Sequence, residues 1–253
     1  MAIRYDFGDL AVLVTGAGRG LGRSVAEKLA SCGATVGIVD IDGASCEGVA
    51  AGIRGAGGRA FAYAADVADR GAFAEAASRF AAERGRIDAM VANAMLLRYE
   101  PIEKVTDEVL ERMLGVGIKG AIWGAQALLA HMDAQRGGAI VNMASPVAER
   151  GYPNTAVYSL VKGAIVTLTK TLAAELGPRR VRVNAVAPGS VPTPGAMGLN
   201  DEAEYARRAR TIPLRRLGRE EDNAEAVAWL LSPAASFVNG EILHVDGGIA
   251  AAG

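Results

Sequence analysis

The chain has 253 residues, of which 51% are hydrophobic and 22% charged, so it can bury a large core and lacks the composition of a disordered protein. Its 27 basic and 28 acidic side chains leave a net charge of -1, which gives no general attraction to nucleic acid or to an anionic membrane. Two cysteines and two histidines are too few for a disulfide framework or a Cys/His zinc site. The first residues lack the apolar core of a signal peptide, and no apolar run reaches the length of a membrane span. We therefore expect a soluble, cytoplasmic protein with no metal, membrane or nucleic-acid partner.

Short β-branched runs alternate with helical stretches along nearly the whole chain. The runs predict seven strands: Leu10–Val14, Thr35–Val39, Ala60–Ala64, Ile87–Ala92, Ala139–Met143, Arg182–Val186 and Glu241–Val245. Strand followed by helix, repeated, is typical of a mainly parallel sheet with helices on both faces. Right-handed crossovers favour a doubly wound arrangement, and nothing in the sequence marks a linker or a repeat. We predict an α/β protein with a single domain over residues 1–253.

Two of the predicted helices, Val105–Met132 and Thr155–Leu176, carry apolar residues around most of their circumference. A helix that is apolar on all sides must be covered on all sides, and the sheet covers only one face. We therefore expect both helices also to pack against another subunit.

A glycine-rich segment directly follows the first predicted strand and opens into a helix. Glycines let the backbone turn tightly and approach a pyrophosphate, whose charge the helix N-terminus stabilises. The residues expected at this phosphate site are Gly16, Gly18, Arg19, Gly20, Leu21 and Gly22. Because the segment has a strand before it and a helix after it, it predicts a dinucleotide-binding site.

Asp40 ends the second predicted strand, where an acid that hydrogen-bonds the adenosine ribose is expected. A carboxylate there repels a 2′-phosphate, because two unit charges 4 Å apart interact by about 4 kcal/mol at an effective dielectric of 20. Ile41 follows, so no arginine at that position offsets the repulsion, although Arg19 is placed to reach a phosphate. We expect NAD as the cofactor, with NADP left open. Asp66 and Val67 follow the third strand and are placed to meet the adenine.

Ser145, Tyr158 and Lys162 form the densest group of reactive side chains. Tyr158 and Lys162 lie four residues apart on one face of a predicted helix, and Ser145 ends the fifth strand, where an open α/β sheet has its ligand crevice. Lowering the pKa of a tyrosine by about three units requires roughly 4 kcal/mol of preferential stabilisation of the phenolate. An adjacent ammonium and a bound, positively charged nicotinamide would supply it. The pattern predicts proton transfer by Tyr158.

The chain resembles, over essentially its whole length, the short-chain dehydrogenase/reductases. The likeness rests on the glycine loop, Asp66, Ser145, the Tyr158-x-x-x-Lys162 pair, Asn184, Pro188-Gly189 with Thr193, and Asp246-Gly247-Gly248. The resemblance implies a seven-stranded Rossmann sheet and reversible hydride transfer between NAD(P) and an alcohol or a carbonyl. It also implies that Tyr158 is the general acid/base, that Ser145 positions the substrate oxygen and that Lys162 binds the nicotinamide ribose. Further cofactor contacts implied in this way are Asn93, Pro188, Gly189, Val191 and Thr193. The family commonly forms tetramers on the two long helices, so we expect a homotetramer.

Two positions depart from the family's pattern. Met95 stands where the family's Asn-Asn-Ala-Gly segment ends in glycine, and we expect its thioether to intrude toward ribose or substrate. Gly117 aligns with an asparagine that supports a water in a proton relay, and we expect the glycine to leave room for an additional water. Gly115, Gly117 and Gly120 also weaken the helix, for which close approach at a subunit contact would compensate.

Three interpretations of Gly117 stay open. Ordered water replaces the missing amide at a modest loss of activity, or the native reaction needs little relay capacity, or the protein binds cofactor while being a poor enzyme.

The leading hypothesis is an NAD-dependent dehydrogenase acting on a secondary alcohol or its ketone. The alternatives are an NADPH-dependent 3-oxoacyl-[acyl-carrier-protein] reductase and a catalytically weak cofactor-binding protein. Arginines between residues 207 and 216 would suit an acidic carrier, but neighbouring acids favour a solvated face of mixed charge. We expect the substrate to contact Met95, Ser145, Val147, Tyr152 and Tyr158, beneath a lid over residues 190–212. This lining suits a medium-sized, partly apolar molecule with one polar handle.

Overall fold

Seven strands form one parallel sheet in the order β3-β2-β1-β4-β5-β6-β7 in a computed structural model that describes residues 5–196 and 201–252. The strands are β1 (Ala11–Thr15), β2 (Thr35–Asp40), β3 (Arg59–Ala64), β4 (Ala89–Ala92), β5 (Gly138–Met143), β6 (Val181–Pro188) and β7 (Ile242–Val245). Each lies where a β-branched run predicts it, with ends that differ by one or two residues. The predicted doubly wound sheet is confirmed, and every pairing in it is parallel.

Helices cover both faces of this sheet. Those found in the described part of the chain are α1 (Gly20–Ser31), α2 (Gly43–Gly55), α3 (Arg70–Arg84), α4 (Asp107–Leu114), α5 (Gly120–His131), α6 (Ala156–Leu176), α7 (Glu202–Thr211) and α8 (Glu220–Leu231). Helices α1, α2 and α8 pack on one face, and α3, α5 and α6 pack on the other. Strand β1 is buried along its whole length because it is covered from both sides.

The long helix expected over Val105–Met132 is not a single α-helix. Its first part, α4, begins at Asp107. The Thr106 hydroxyl caps this helix by accepting a hydrogen bond from the Val109 amide at 3.4 Å. Between α4 and α5 the backbone forms a π-helical turn, Gly115–Lys119. Such turns are rare and occur frequently at functional sites.

By length and composition alone, one helix of the described residues, Asp107–His131, would be able to cross a membrane. The mean hydropathy of its most apolar stretch is 1.3, and half of that stretch is buried within the fold. Its neighbours are α3, α6 and β4, so its apolar side chains contact the protein's own core. On the outer side of α6, Leu160 is 56% exposed, and subunit packing by these helices stays a prediction.

A buried carboxylate joins β1 to β4 at the amino ends of the strands. Asp88 is 6% exposed, and its side chain accepts hydrogen bonds from the Ala11 amide at 2.8 Å and from Arg86 Nε at 2.7 Å. Asp9 extends the network by accepting from Arg86 at 2.8 Å and from Arg136 at 2.7 Å. The end of the sheet remote from the predicted site is therefore held by charged hydrogen bonds.

Candidate active site

A cavity of about 940 Å³ opens at the carboxyl ends of the strands, where the strand order reverses between β1 and β4. It brings together eighteen of the twenty predicted site residues: Gly16, Arg19, Gly20, Leu21, Asp40, Asp66, Val67, Asn93, Met95, Ser145, Val147, Tyr152, Tyr158, Lys162, Pro188, Gly189, Val191 and Thr193. The two others, Gly18 and Gly22, are not among the lining residues, but the Gly18 amide donates to Asp40 and Gly22 packs against the Gly16 carbonyl. Of the predicted lid over residues 190–212, residues 197–200, which include Met197 and Gly198, lie outside the described residues.

The glycine loop turns between β1 and α1 with a backbone that side chains would prevent. Gly16 and Gly20 have φ values of 61° and 59°, in the left-handed region. A Cβ on Gly22 would collide with the carbonyl oxygen of Gly16. Helix α1 has no side-chain cap and no acidic residue in its first turn, so the amides at its N-terminus remain for an anion.

Asn93 holds this loop in place from β4. Its Nδ2 donates to the carbonyl oxygens of Thr15 at 2.9 Å and Gly16 at 3.0 Å. The Thr15 hydroxyl in turn accepts hydrogen bonds from the Asn93 amide at 3.1 Å and the Ala94 amide at 3.2 Å. The Asn93 amide group is thus engaged within the protein, and Thr15 is a supporting residue that the sequence analysis did not single out.

Two carboxylates mark the end of the cavity beside β2 and β3. Asp40 Oδ2 accepts a hydrogen bond from the Gly18 amide at 3.1 Å, which ties β2 to the glycine loop. Asp66 accepts from the Ala68 amide at 2.9 Å and from Arg112 Nη1 at 2.6 Å. Burial raises the pKa of Asp66, but the hydrogen bonds from Arg112 and Ala68 outweigh it and leave this pKa below its usual value. Arg112 lines the cavity from α4 and was not predicted.

Ser145, Tyr158 and Lys162 converge on the opposite wall. Ser145 follows β5 and is buried, and its hydroxyl lies 3.5 Å from the Val147 amide. Tyr158 and Lys162 lie one turn apart on α6, with Nζ 5.6 Å from the centre of the phenol ring. The ammonium also donates to the Met143 carbonyl oxygen at 2.6 Å, so the end of β5 fixes its position.

The protein's own groups move the pKa values of this pair in opposite directions. Burial raises the pKa of Tyr158, the neighbouring Tyr99 raises it further, and the Ser145 side chain lowers it. Burial also lowers the pKa of Lys162, to about 8. Burial therefore dominates the pKa of Tyr158 in the protein without a cofactor, and the lowering expected from Lys162 together with a bound nicotinamide stays a prediction.

The space above Gly117 is filled by apolar side chains. A Cβ on this glycine would collide with Val161 Cγ1 and would lie 3.0 Å from Met95 Sδ. The expectation of room for an additional water at that point is wrong, because α6 and the loop after β4 close it. Met95 lines the cavity as expected, and its sulfur is in contact with the π-helical turn.

The other glycines of this helix also meet the chain itself. A Cβ on Gly120 would lie 2.9 Å from Val67 Cγ2, and one on Gly115 would lie 3.3 Å from the Ala68 Cβ. The loop after β3 therefore packs directly on the helix backbone. This packing compensates within one chain for the low helix propensity of glycine, and the subunit contact expected there stays a prediction.

The part of the cavity beyond Tyr158 has a wall that was predicted only in part. The Tyr99 ring packs edge-on against the Tyr158 ring, with centroids 5.5 Å apart. Tyr205 and Arg208 enter from α7, within the predicted lid, and Ile249 enters from the segment after β7. Tyr99 and Ile249 were not predicted, although an aromatic residue six positions after Asn93 was a signal that could have been weighed.

Comparisons with known proteins cover nearly the whole chain. A family model described as enoyl-(acyl carrier protein) reductase matches residues 16–250. Cis-4-hydroxycyclohexanecarboxylate dehydrogenase of Sinomonas cyclohexanicum is 39% identical over 97% of this chain and 98% of its own. The structure of a short-chain dehydrogenase/reductase from Serratia marcescens matches with a TM-score of 0.91 and 33% identity, over 97% of this chain and 100% of that one. The 3-ketoacyl-(acyl-carrier-protein) reductase of Brucella melitensis, solved with NADH, matches with a TM-score of 0.88 and 35% identity, over 95% and 98%.

Proposed function

Because the chain belongs to the short-chain dehydrogenase/reductase family of oxidoreductases, we propose that it oxidises a secondary alcohol with NAD or reduces the corresponding ketone with NADH. One observation carries this proposal. Ser145, Tyr158 and Lys162 meet on one wall of a cavity whose other wall is a glycine loop and an uncapped helix N-terminus.

The residues present fit a nicotinamide dinucleotide. The loop glycines pack closely against Asn93 and Asp40 and so keep the loop tight, and the amides of the first turn of α1 suit a pyrophosphate. Asp40 lies where a ribose hydroxyl would be bound, and its charge disfavours a 2′-phosphate. The related reductase of Brucella melitensis was solved with NADH. When bound, the nicotinamide supplies or takes the hydride.

The chain's own groups handle the proton. In the direction of reduction the Tyr158 hydroxyl donates to the carbonyl oxygen, and in oxidation the phenolate takes the proton from the alcohol. Ser145 donates a hydrogen bond to the same oxygen and thereby fixes its distance from Tyr158. Because burial makes the phenolate costly, the positive charge of Lys162 is needed to stabilise it, and the charge of a bound oxidised nicotinamide would add to that effect. Lys162 has three donors, of which Met143 takes one, so two remain for a ribose.

Replacing Tyr158 by phenylalanine tests this role. We expect Tyr158→Phe to lower kcat/KM by roughly a hundredfold or more, since general acid/base catalysis contributes about 10²–10⁴. Formation of NADH is followed by absorbance over a panel of sugars, cyclic alcohols, steroids and ring hydroxy acids. The matched control is Tyr205→Phe, which also removes one hydroxyl from the cavity wall but lies on α7, away from Ser145 and Lys162. Unchanged turnover in Tyr158→Phe, with the control equally active, overturns the proposal.

The second candidate is an NADPH-dependent reductase of 3-oxoacyl groups on an acyl carrier protein. It is supported by the description of the matching family model and by the related 3-ketoacyl reductase. Of the arginines expected to serve an acidic carrier, however, Arg207 and Arg208 share Glu204, and Arg216 pairs with Asp222, so their charge is reduced. A comparison of NADPH with NADH on an acetoacetyl thioester separates the candidates. Strong preference for NADPH would favour the second one.

A further inference from the structure

We propose that Arg208 binds a carboxylate group on the substrate, so that the enzyme acts on hydroxy acids or keto acids whose acid group lies away from the reacting carbon. This inference rests on the proposed function, because it names the substrate class of the same cavity. The observations that carry it are that Tyr158, Tyr99 and Arg208 line one cavity and that the two tyrosine rings are in contact.

Tyr99 links the reacting end of the cavity to the charged end. Its ring contacts Tyr158 edge-on at 5.5 Å between centroids. Arg208, on α7, lines the same cavity as Tyr99. A small molecule with its alcohol beside Tyr158 therefore shares its cavity with the Arg208 guanidinium.

Arg208 already holds one carboxylate and retains capacity for another. Its Nε donates to Glu204 Oε1 at 2.7 Å, while Arg207 grips both oxygens of Glu204 at 2.7 Å each. Arginine has five N–H donors, and among residues 5–196 and 201–252 no acceptor lies within hydrogen-bond distance of either Nη of Arg208. Glu204 therefore stays bound to Arg207 when the two Nη groups of Arg208 donate hydrogen bonds to a ligand.

The other arginines of this wall are committed elsewhere. The Arg207 side chain is 60% exposed and forms its bidentate pair with Glu204. Arg150 donates to the Ile249 carbonyl oxygen and lies over the Tyr152 ring, so it anchors the segment after β7. Three arginines face a single acid here, which leaves this end of the cavity positive and attractive to an anion.

Apolar side chains also line this cavity. Met95, Leu96 and Val147 are among them and suit a carbon skeleton without further charge. The ligand that fits is a compact apolar frame with an alcohol or ketone at one end and a carboxylate at the other.

Calorimetric titration with an unreactive acid tests the inference without turnover. The probes are cyclohexanecarboxylate and the neutral cyclohexanecarboxamide, each titrated with and without NADH. We expect the wild type to bind the acid roughly tenfold more tightly than the amide, since a charged hydrogen-bonded group gains that much over a neutral one. Arg208→Gln should abolish this preference, and Arg208→Lys should retain part of it.

The matched control is Arg210→Gln, which removes the same charge from an exposed position of α7 outside the cavity lining. It should keep the wild-type preference. Equal binding of acid and amide by the wild type, or an undiminished preference in Arg208→Gln, overturns the inference. The titration involves no reaction, so its outcome does not depend on the role of Tyr158. If Tyr158→Phe keeps its activity, the proposed function is refuted, and the titration still shows whether Arg208 binds a carboxylate.

Discussion

Placing an asparagine at position 117 tests whether this position is closed by packing. In Gly117→Asn the new Cβ collides with Val161 Cγ1 and comes within 3.0 Å of Met95 Sδ. Overpacking of this kind costs about 1–3 kcal/mol. Asparagine regains only about 0.3 kcal/mol of helix propensity over glycine. We therefore expect the free energy of unfolding to fall by about 1–2.5 kcal/mol and turnover not to rise.

Urea unfolding of the variant against the wild type measures this loss, and the NADH absorbance assay measures turnover. The matched control is Gly52→Asn in α2, where no atom lies within 4 Å of an added Cβ. Combining Gly117→Asn with Val161→Ala should recover part of the loss, seen as a favourable coupling in a double-mutant cycle. If Gly117→Asn is as stable as the Gly52 variant and turns over several times faster than the wild type, the conclusion that packing closes position 117 is refuted. Loss of the asparagine from the proton relay would then be what limits the wild-type activity.

Two further predictions concern charge and assembly. Burial lowers the pKa of Lys162 to about 8 from an ordinary 10.5, so the unfolded chain binds more protons between those values and the free energy of unfolding should rise with pH there. Lys162→Met should flatten that rise in urea titrations between about pH 7 and about pH 9.5, and an equally steep rise in the variant would contradict it. For assembly, light scattering of the wild type should give the mass of a tetramer, and Leu160→Glu, on the exposed side of α6, should lower it. A monomeric wild type would refute the subunit packing.

The strands and the cofactor loop were predictable because their signals are local. The buried strands are read from continuous β-branched runs, and parallel pairing places every strand-end motif at one edge of the sheet. Asp40, Asn93 and Ser145 each follow directly from the end of a strand, so their meeting in one cavity required only the topology.

What escaped prediction depends on contacts between distant segments. The π-helical turn at Gly115–Lys119 arises where the helix backbone meets Val161 and Val67, and no periodicity within the helix reveals those partners. The direction of the Tyr158 pKa is set by burial, which is a property of the folded chain. The predicted lid over residues 190–212 included Arg208, but which of its side chains line the cavity is set by how α7 packs, and the sequence favoured a solvated face for its arginines.

The carboxylate of Asp88 has a consequence for how such a protein diversifies. It ties the amide of Ala11 to Arg86 at the floor of the sheet, far from the cavity, so the alignment of the two central strands does not depend on the loops at the rim. Insertions and exchanges in those rim loops leave the register of the strands untouched. Changes in individual loops can therefore alter substrate recognition while the pairing of the central strands stays the same.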